Sequence, residues 1–269
     1  MTHKDEESAL RLSIEDHIAT IVLNRPERLN ALDIPTTRLL HLRLRECAED
    51  EAVRVLILTG AGRAFCAGGD MHAVWNHVQA GGQAWRYLRD LTAPLHHVAA
   101  DLRRMPKPVI AAVNGPAAGA GLSLAAACDL RLAARGSTFK QAYTSIGLVP
   151  DAGWTCFAAR VLGPARASRL LLLDERFDAQ LALEMGLLHE VVEPSQLQAR
   201  AAEMAREMMC RAPTSLARAK QMINASLFPD LDTILKRERA ALAAQCQSED
   251  FREGLQAFVE KRQAVFAGR

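Results

Sequence analysis

Two short stretches of this chain put small residues where the backbone itself could do chemistry. The first is Gly60–Asp70, GAGRAFCAGGD. The second is Asn114–Gly121, NGPAAGAG, which runs on into Leu122–Cys128. Each follows an apolar run of strand length, Val53–Thr59 and Pro108–Val113. Ala67, Gly68, Gly69, Gly119, Ala120 and Gly121 leave room for a ligand to approach the main chain. The second stretch leads into a helix. The first N–H groups of a helix lack internal acceptors, and its dipole favours a negative oxygen there. Two N–H donors aimed at one point from separate loops are what an oxyanion needs. Losing one such donor costs roughly 3–4 kcal/mol of transition-state stabilisation. Either stretch alone reads equally well as a tight turn. The pair, each behind a buried strand, points to an oxyanion site.

Other glycine-loop chemistries do not fit. GxGxxG occurs at neither place, and no GxxxxGK[ST] exists. Gly121–Ala125, GLSLA, approaches the GxSxG nucleophile elbow but lacks its closing glycine, and it lies within the expected helix. Cys66 has no base beside it and reads as a small packing residue. His77, His96 and His97 fall in a helical stretch and read as surface or packing residues. Arg103-Arg104 reads as a solvated helix end.

The elements that must hold these loops follow from the pattern. Arg11–Glu15 and Ile18–Asn24 read as a hairpin around Asp16-His17. Ile34–Asp50 has helical spacing. Val53–Thr59 and Pro108–Val113 lack alternation, which predicts strands covered on both faces. Leu130–Ala133 is a shorter third run. A helical pattern over 71–105 is interrupted at Gly81-Gly82. Beyond residue 153 one strand is expected, His189–Val192, among helices at 153–162, 164–173, 178–185, 195–211, 214–226, 230–246 and 249–263. Pro164, Pro194, Pro213 and Pro229 stand near helix starts, where proline is tolerated. The fold class is therefore α/β, with a core over 1–200 and a helical region over 201–269.

Composition removes whole classes of function. Lys plus Arg is 33 and Asp plus Glu is 31, a net charge of +2, and aromatic residues make up only 5%. No basic tract is present, so no nucleic-acid partner is expected. No apolar run reaches the ~18–20 residues of a membrane span. The six cysteines form no CxxC pair and share no metal-ligand spacing with histidines, so no metal is expected. The polar, acidic start MTHKDEESAL is not a signal peptide. A cytoplasmic protein with free thiols is the expectation.

The stretches Leu23–Leu32 (LNRPERLNAL), Val55–Asp70, Lys107–Asp129, Phe139–Gly153 (FKQAYTSIGLVPDAG) and Ser248–Phe266 occur in an order that resembles the crotonase superfamily, the enoyl-CoA hydratases and isomerases. The resemblance runs nearly end to end. It implies a spiral of ββα units with a C-terminal helical trimerisation region, giving a homotrimer or hexamer. It implies an acyl-CoA thioester substrate and no cofactor beyond that coenzyme A. By position, the donors to the thioester oxygen are the N–H groups of Gly69 and Ala120, the latter standing where glycine is common. Ala67, Gly68, Asp70 and Met71 fall in the loop that meets adenine and pantetheine. Arg28 falls where a basic residue often lies near the coenzyme A phosphates, and His72 where a lysine sometimes does.

The same resemblance bears on the reaction. The two glutamates of the family's hydratases correspond to Ser123 and Tyr143 here. Ser123 reads as a packing or capping residue, and Tyr143 as a pocket wall with a hydrogen bond to give. Asp151, in Gly147–Gly153, matches the single carboxylate of isomerases such as the ring-1,2-epoxyphenylacetyl-CoA type. One carboxylate suffices to move a double bond, taking a proton at C2 or C4 and returning it at the other. Burial among Leu148, Val149 and Trp154 would raise its pKa. The competing reading makes Asp151 a cap on the helix starting at Gly153. Trp154 stands where a glycine is common and is expected to shape the acyl pocket. The leading expectation is a double-bond or oxepin-type isomerase. Hydration of a 2-enoyl-CoA, with water placed by Asp151 and Tyr143, and a non-catalytic acyl-CoA-binding paralogue are the alternatives. A serine hydrolase stands well behind them.

Overall fold

The computed structural model describes residues 9–269. Most of the acidic start, residues 1–8, lies outside them. β1 (Leu10–Glu15) and β2 (Ile18–Leu23) pair antiparallel across Asp16 and His17, both left-handed. That backbone suits the twist of a two-residue hairpin. β3 (Val55–Gly60), β4 (Val109–Val113), β6 (Leu130–Ala134) and β9 (Glu190–Val192) then add in parallel, giving the order β1-β2-β3-β4-β6-β9.

The unalternating apolar runs have the cause expected of them. Leu56, Leu58, Ala111 and Val113 face a large core that holds α1 (Ile34–Glu49) and α3 (Ala84–Arg104). Val55, Ile57, Ile110 and Ala112 face a second, smaller core closed by Leu197, Ala201, Met204 and Ala205 of α8 (Leu197–Met209). Both faces of β3 and β4 are therefore dry.

Three very short strands form a second sheet: β5 (Ala117–Ala118), β7 (Thr138–Lys140) and β8 (Phe177–Asp178). The expectation of a single strand beyond residue 153 is corrected by β8. A two-residue strand has no periodicity to read, and its packing is tertiary: Phe177 stacks on Phe139, 5.4 Å between centroids. The helical pattern over 71–105 does break at Gly81-Gly82, into α2 (Met71–Gln79) and α3.

The remaining helices are α4 (Ala120–Ala127), α5 (Trp154–Leu162), α6 (Pro164–Leu173), α7 (Ala179–Glu184), α9 (Pro213–Leu227), α10 (Leu231–Gln245) and α11 (Glu249–Glu260). α10 packs on α3, and α11 on α2 and the 144–146 turn. No helix among the described residues is long and apolar enough to cross a membrane.

The segment after β2 anchors the first glycine loop. Asn30 is buried in a left-handed conformation. Its amide donates to the carbonyls of Ala61 and Ala64, at 2.9 and 2.7 Å, and its Oδ1 accepts from Arg25 N–H. The Arg25 guanidinium bridges Asp33 and Asp70, the N-caps of α1 and α2. Replacing Asn30 with alanine takes the donor from the Ala61 carbonyl and the acceptor from Arg25 N–H, leaves Ala64 with only its bond from Asn114, and puts in the left-handed region a residue that lacks asparagine's local polar side chain. Asn30→Ala is expected to lower the unfolding free energy by about 2–4 kcal/mol in a denaturant titration. A wild-type midpoint would show that other bonds hold the loop.

Candidate active site

The two glycine loops lie against each other. Cys66 and Ala117 form a parallel bridge, and Ala118 N–H donates to the Cys66 carbonyl at 2.9 Å. A β-carbon on Gly121 would sit 2.2 Å from the Cys66 carbonyl oxygen, and one on Gly68 would sit 2.8 Å from that of Ala118. These two glycines are small because loop meets loop. Gly68, expected at the ligand, does not line the cavity described next. A second bridge, Leu32 to Gly69, ties the first loop to the segment after β2.

Gly69 and Ala120 both line a cavity of about 360 Å³. Among the described residues neither backbone N–H has an acceptor. Ala120 is the first residue of α4, so its amide has no place in the helical ladder. Leu88, Leu91 and Leu95 of α3, Leu242 of α10 and Phe258 of α11 give the cavity an apolar wall. Asp151, Tyr143, Lys140 and Arg176 supply its polar side.

Asp151 is buried, and its Oδ1 accepts a 2.7 Å hydrogen bond from the Tyr143 hydroxyl. The Tyr143 oxygen lies 3.2 Å from Ser123 Oγ, which also reaches the carbonyls of Gly119 and Asp151. Ser123 and Tyr143 are thus joined to Asp151 in one chain of hydrogen bonds. Burial pushes the Asp151 carboxyl up to about 7, against the pull of the Tyr143 hydrogen bond, while the Glu238 charge pushes the same way as burial. Burial chiefly, then the Asp151 charge, holds Tyr143 well above the usual phenol range, so it stays a donor.

The reading of Asp151 as a helix cap is corrected. Its side chain makes no cap bond to α5; only its main-chain carbonyl accepts from Trp154 N–H. Glu238, reaching across from α10, accepts from the N–H groups of Gly153 and Thr155 instead, at 2.7 and 3.0 Å.

Other expected residues divide between cavity and surroundings. Ala67, Met71 and Tyr143 line the cavity with Gly69, Ala120 and Asp151. Trp154 does not: α5 packs on α4, and this first residue of α5 turns into the large core, 1% exposed. Asp70 is buried, bonded to Ala73 N–H and to Arg25. Arg28 and His72 are exposed. Arg28 is next to the lining residue Leu29, and the His72 ring lies 5.6 Å from that of Phe258. Sequence reading missed the α3 leucines, Leu242, Phe258, Lys140, Arg176 and Glu238. The leucines at 88, 91 and 95 carry a helical spacing, which marks a buried face without saying that the face borders a void. Among the described residues, no three His, Cys, Asp or Glu gather where they could hold a metal ion.

Residues 13–269 match the family Enoyl-CoA hydratase/isomerase. The chain belongs to that family. It is 39% identical to the 1,2-epoxyphenylacetyl-CoA isomerase of Escherichia coli K12, over 95% of this chain and 97% of that one. It is 35% identical to the short-chain-enoyl-CoA hydratase of Clostridium acetobutylicum, over 93% and 94%. Its fold is similar to the crystal structure of an enoyl-CoA hydratase from Mycobacterium avium subsp. paratuberculosis, with a TM-score of 0.87, 31% identity and coverage of 96% and 98%. This family member is therefore an enzyme of the hydratase/isomerase type, and its crotonase fold is the one the resemblance implied.

The raised Asp151 carboxyl makes a prediction that needs no substrate. A carboxyl raised by folding favours its neutral form in the native state. Its stabilisation is complete below the ordinary value of 3.8 and is lost as pH rises through about 7. Asp151→Asn, which stays neutral, should be more stable than wild type at about pH 8, by as much as about 4 kcal/mol. The gap should close towards about pH 4. Equilibrium unfolding at both pH values checks this; a pH-independent gap would contradict it.

Proposed function

We propose that this family member is an acyl-CoA isomerase that moves a double bond by proton transfer through Asp151. The observation that carries the reading is that Asp151 is the one carboxylate lining the cavity among the described residues. The chemistry follows from the surroundings. The thioester oxygen accepts from the N–H groups of Gly69 and Ala120. The Asp151 carboxylate takes a proton from C2 or C4, and the electron pair delocalises into a dienolate with its charge on that oxygen. The resulting carboxylic acid then returns the proton to the other carbon. A carboxyl near 7 is suited to both halves, since it gives and takes at neutral pH with little bias.

Ala67 and Met71 beside Gly69 suit a pantetheine arm running outward, with Arg28 and His72 on the surface it would cross. The α3 leucines suit an apolar acyl group. No cofactor beyond the substrate's own coenzyme A is needed by this chemistry. Exposed Leu172 and Leu173 of α6, with Met222 and Ile223 of α9, favour assembly into a trimer or hexamer through the helical side. The six free thiols favour a reducing, cytoplasmic setting.

Two variants test the reading with a 3-enoyl-CoA. Asp151→Asn is expected to lower kcat by about 10²–10⁴ with little change in KM. Ala120→Pro deletes one N–H donor at a helix position that tolerates proline, and should cost about 10²–10³ in kcat. Unchanged isomerisation in Asp151→Asn would sink the role given to Asp151. A 2-enoyl-CoA assayed in parallel separates the alternatives. Formation of a 3-hydroxyacyl-CoA, lost in Asp151→Asn, would make the enzyme a hydratase. Binding without turnover would make the chain a non-catalytic paralogue.

A further inference from the structure

The strongest unassigned feature is a second buried carboxylate close behind Asp151. Glu238 is buried and comes from α10. Its two oxygens accept from Gly153 N–H at 2.7 Å, from Thr155 N–H at 3.0 Å, and from the Thr155 hydroxyl. Burial pushes the Glu238 carboxyl up, and the hydrogen bonds from Thr155 and Gly153 pull it back towards the carboxylate. The Gly153 N–H lies buried at the start of α5, where water does not stand in for an acceptor, so Glu238 meets a need that would otherwise go unmet, at the cost of burying a carboxyl.

The turn that Glu238 grips explains the expense. Ala152 and Gly153 are consecutive left-handed residues, at φ 53° and 83°. For alanine that conformation costs roughly 1–2 kcal/mol. A β-carbon at Gly153 would come within 2.5 Å of the Phe157 ring, so only glycine fits there. The strained residue, Ala152, directly follows Asp151. It turns the chain so that the Asp151 carboxyl meets Tyr143 on one side, while the next residues enter α5 on the other. Without a clamp beyond the turn, the strain would be released by rotating Asp151 away from the cavity.

We propose that Glu238 is a positioning residue: by holding the N-terminus of α5 it keeps the strained turn closed and Asp151 aimed beside Tyr143. This rests on the reading of Asp151 as the proton carrier. It gives the C-terminal helical region a part in the proton transfer.

Glu238→Gln tests the proposal, because the amide keeps the shape but only one acceptor oxygen, so it can hold the Gly153 N–H or the Thr155 N–H and not both, and it carries no charge. The groups facing Asp151 are Tyr143 and Ser123 by hydrogen bond, and Glu238 and Cys246 through space. Of these Glu238 is the anion, and a neighbouring anion raises a carboxyl pKa. Two readouts follow. The carboxylic-acid infrared band of Asp151, isolated as the difference from Asp151→Asn, titrates without substrate. Its midpoint should move down by about half a pH unit to one unit in Glu238→Gln. With a 3-enoyl-CoA, kcat should fall about tenfold at unchanged KM. An unmoved midpoint, or a wild-type kcat in the folded variant, overturns the proposal. If Glu238→Gln does not fold, Thr155→Val removes one donor and keeps the branched shape. Its kcat should fall about threefold, and a wild-type value overturns the proposal as well. The two readings fail separately. Active Asp151→Asn removes the proton role of Asp151, while the infrared midpoint still reports on Glu238. Inactive Asp151→Asn with unaffected Glu238→Gln removes the role of Glu238 alone.

Discussion

The site depends on two loops coming into backbone contact. The Cys66 carbonyl meets Gly121 and accepts from Ala118 N–H, while Gly68 turns left-handed against Ala118 and Ala120. Only this contact puts the amides of Gly69 and Ala120 on one cavity. Each loop is fixed from behind by a strand dry on both faces, so neither can retreat without opening a core. Asn30 and the Arg25 bridge fix the first loop on its outer side. Backbone donors held this way need no reorganisation when charge develops, which is the condition under which such donors are most effective.

Opposite the amides, one carboxyl is held in an unusual state by opposing influences. Burial raises Asp151 and the Tyr143 hydroxyl lowers it. Burial alone would favour the neutral acid, better able to give a proton than to take one. A stronger set of donors would leave a permanent carboxylate, with the reverse fault. One phenol, itself steadied by Ser123, leaves the group between these limits. Ser123 and Tyr143, where the family resemblance leads one to expect hydratase glutamates, here support a carboxyl elsewhere.

What the sequence made legible was main-chain chemistry and layer structure. The apolar runs of β3 and β4 announced two-sided burial, and the glycine pair at 81 and 82 announced a helix break. The loop glycines were visible too, but their purposes were not separable. Gly68 and Gly121 serve loop contact, whereas Gly69 serves the cavity, and that distinction is tertiary. Trp154 and Asp70 show the same limit: matching a family position does not say whether a side chain faces the void or the core. Asp151 was found because the family resemblance places a carboxylate within Gly147–Gly153. Glu238 was not, because it lies 85 residues from Gly153, and nothing in its own helix marks it as different from a surface glutamate.

The helices beyond residue 200 therefore enclose the chemistry. Leu242 and Phe258 close the cavity opposite the loops, and α10 also carries Glu238. One helix thus presents an apolar residue to the cavity and, one turn earlier, a charge to the turn behind it. Those two residues sit at i and i+4, so they share a face and move together. A shift of α10 that widened the cavity at Leu242 would also loosen the grip on Gly153 and Thr155. The width of the cavity at Leu242 and the hold on the turn after Asp151 are for that reason coupled through how α10 packs on α3.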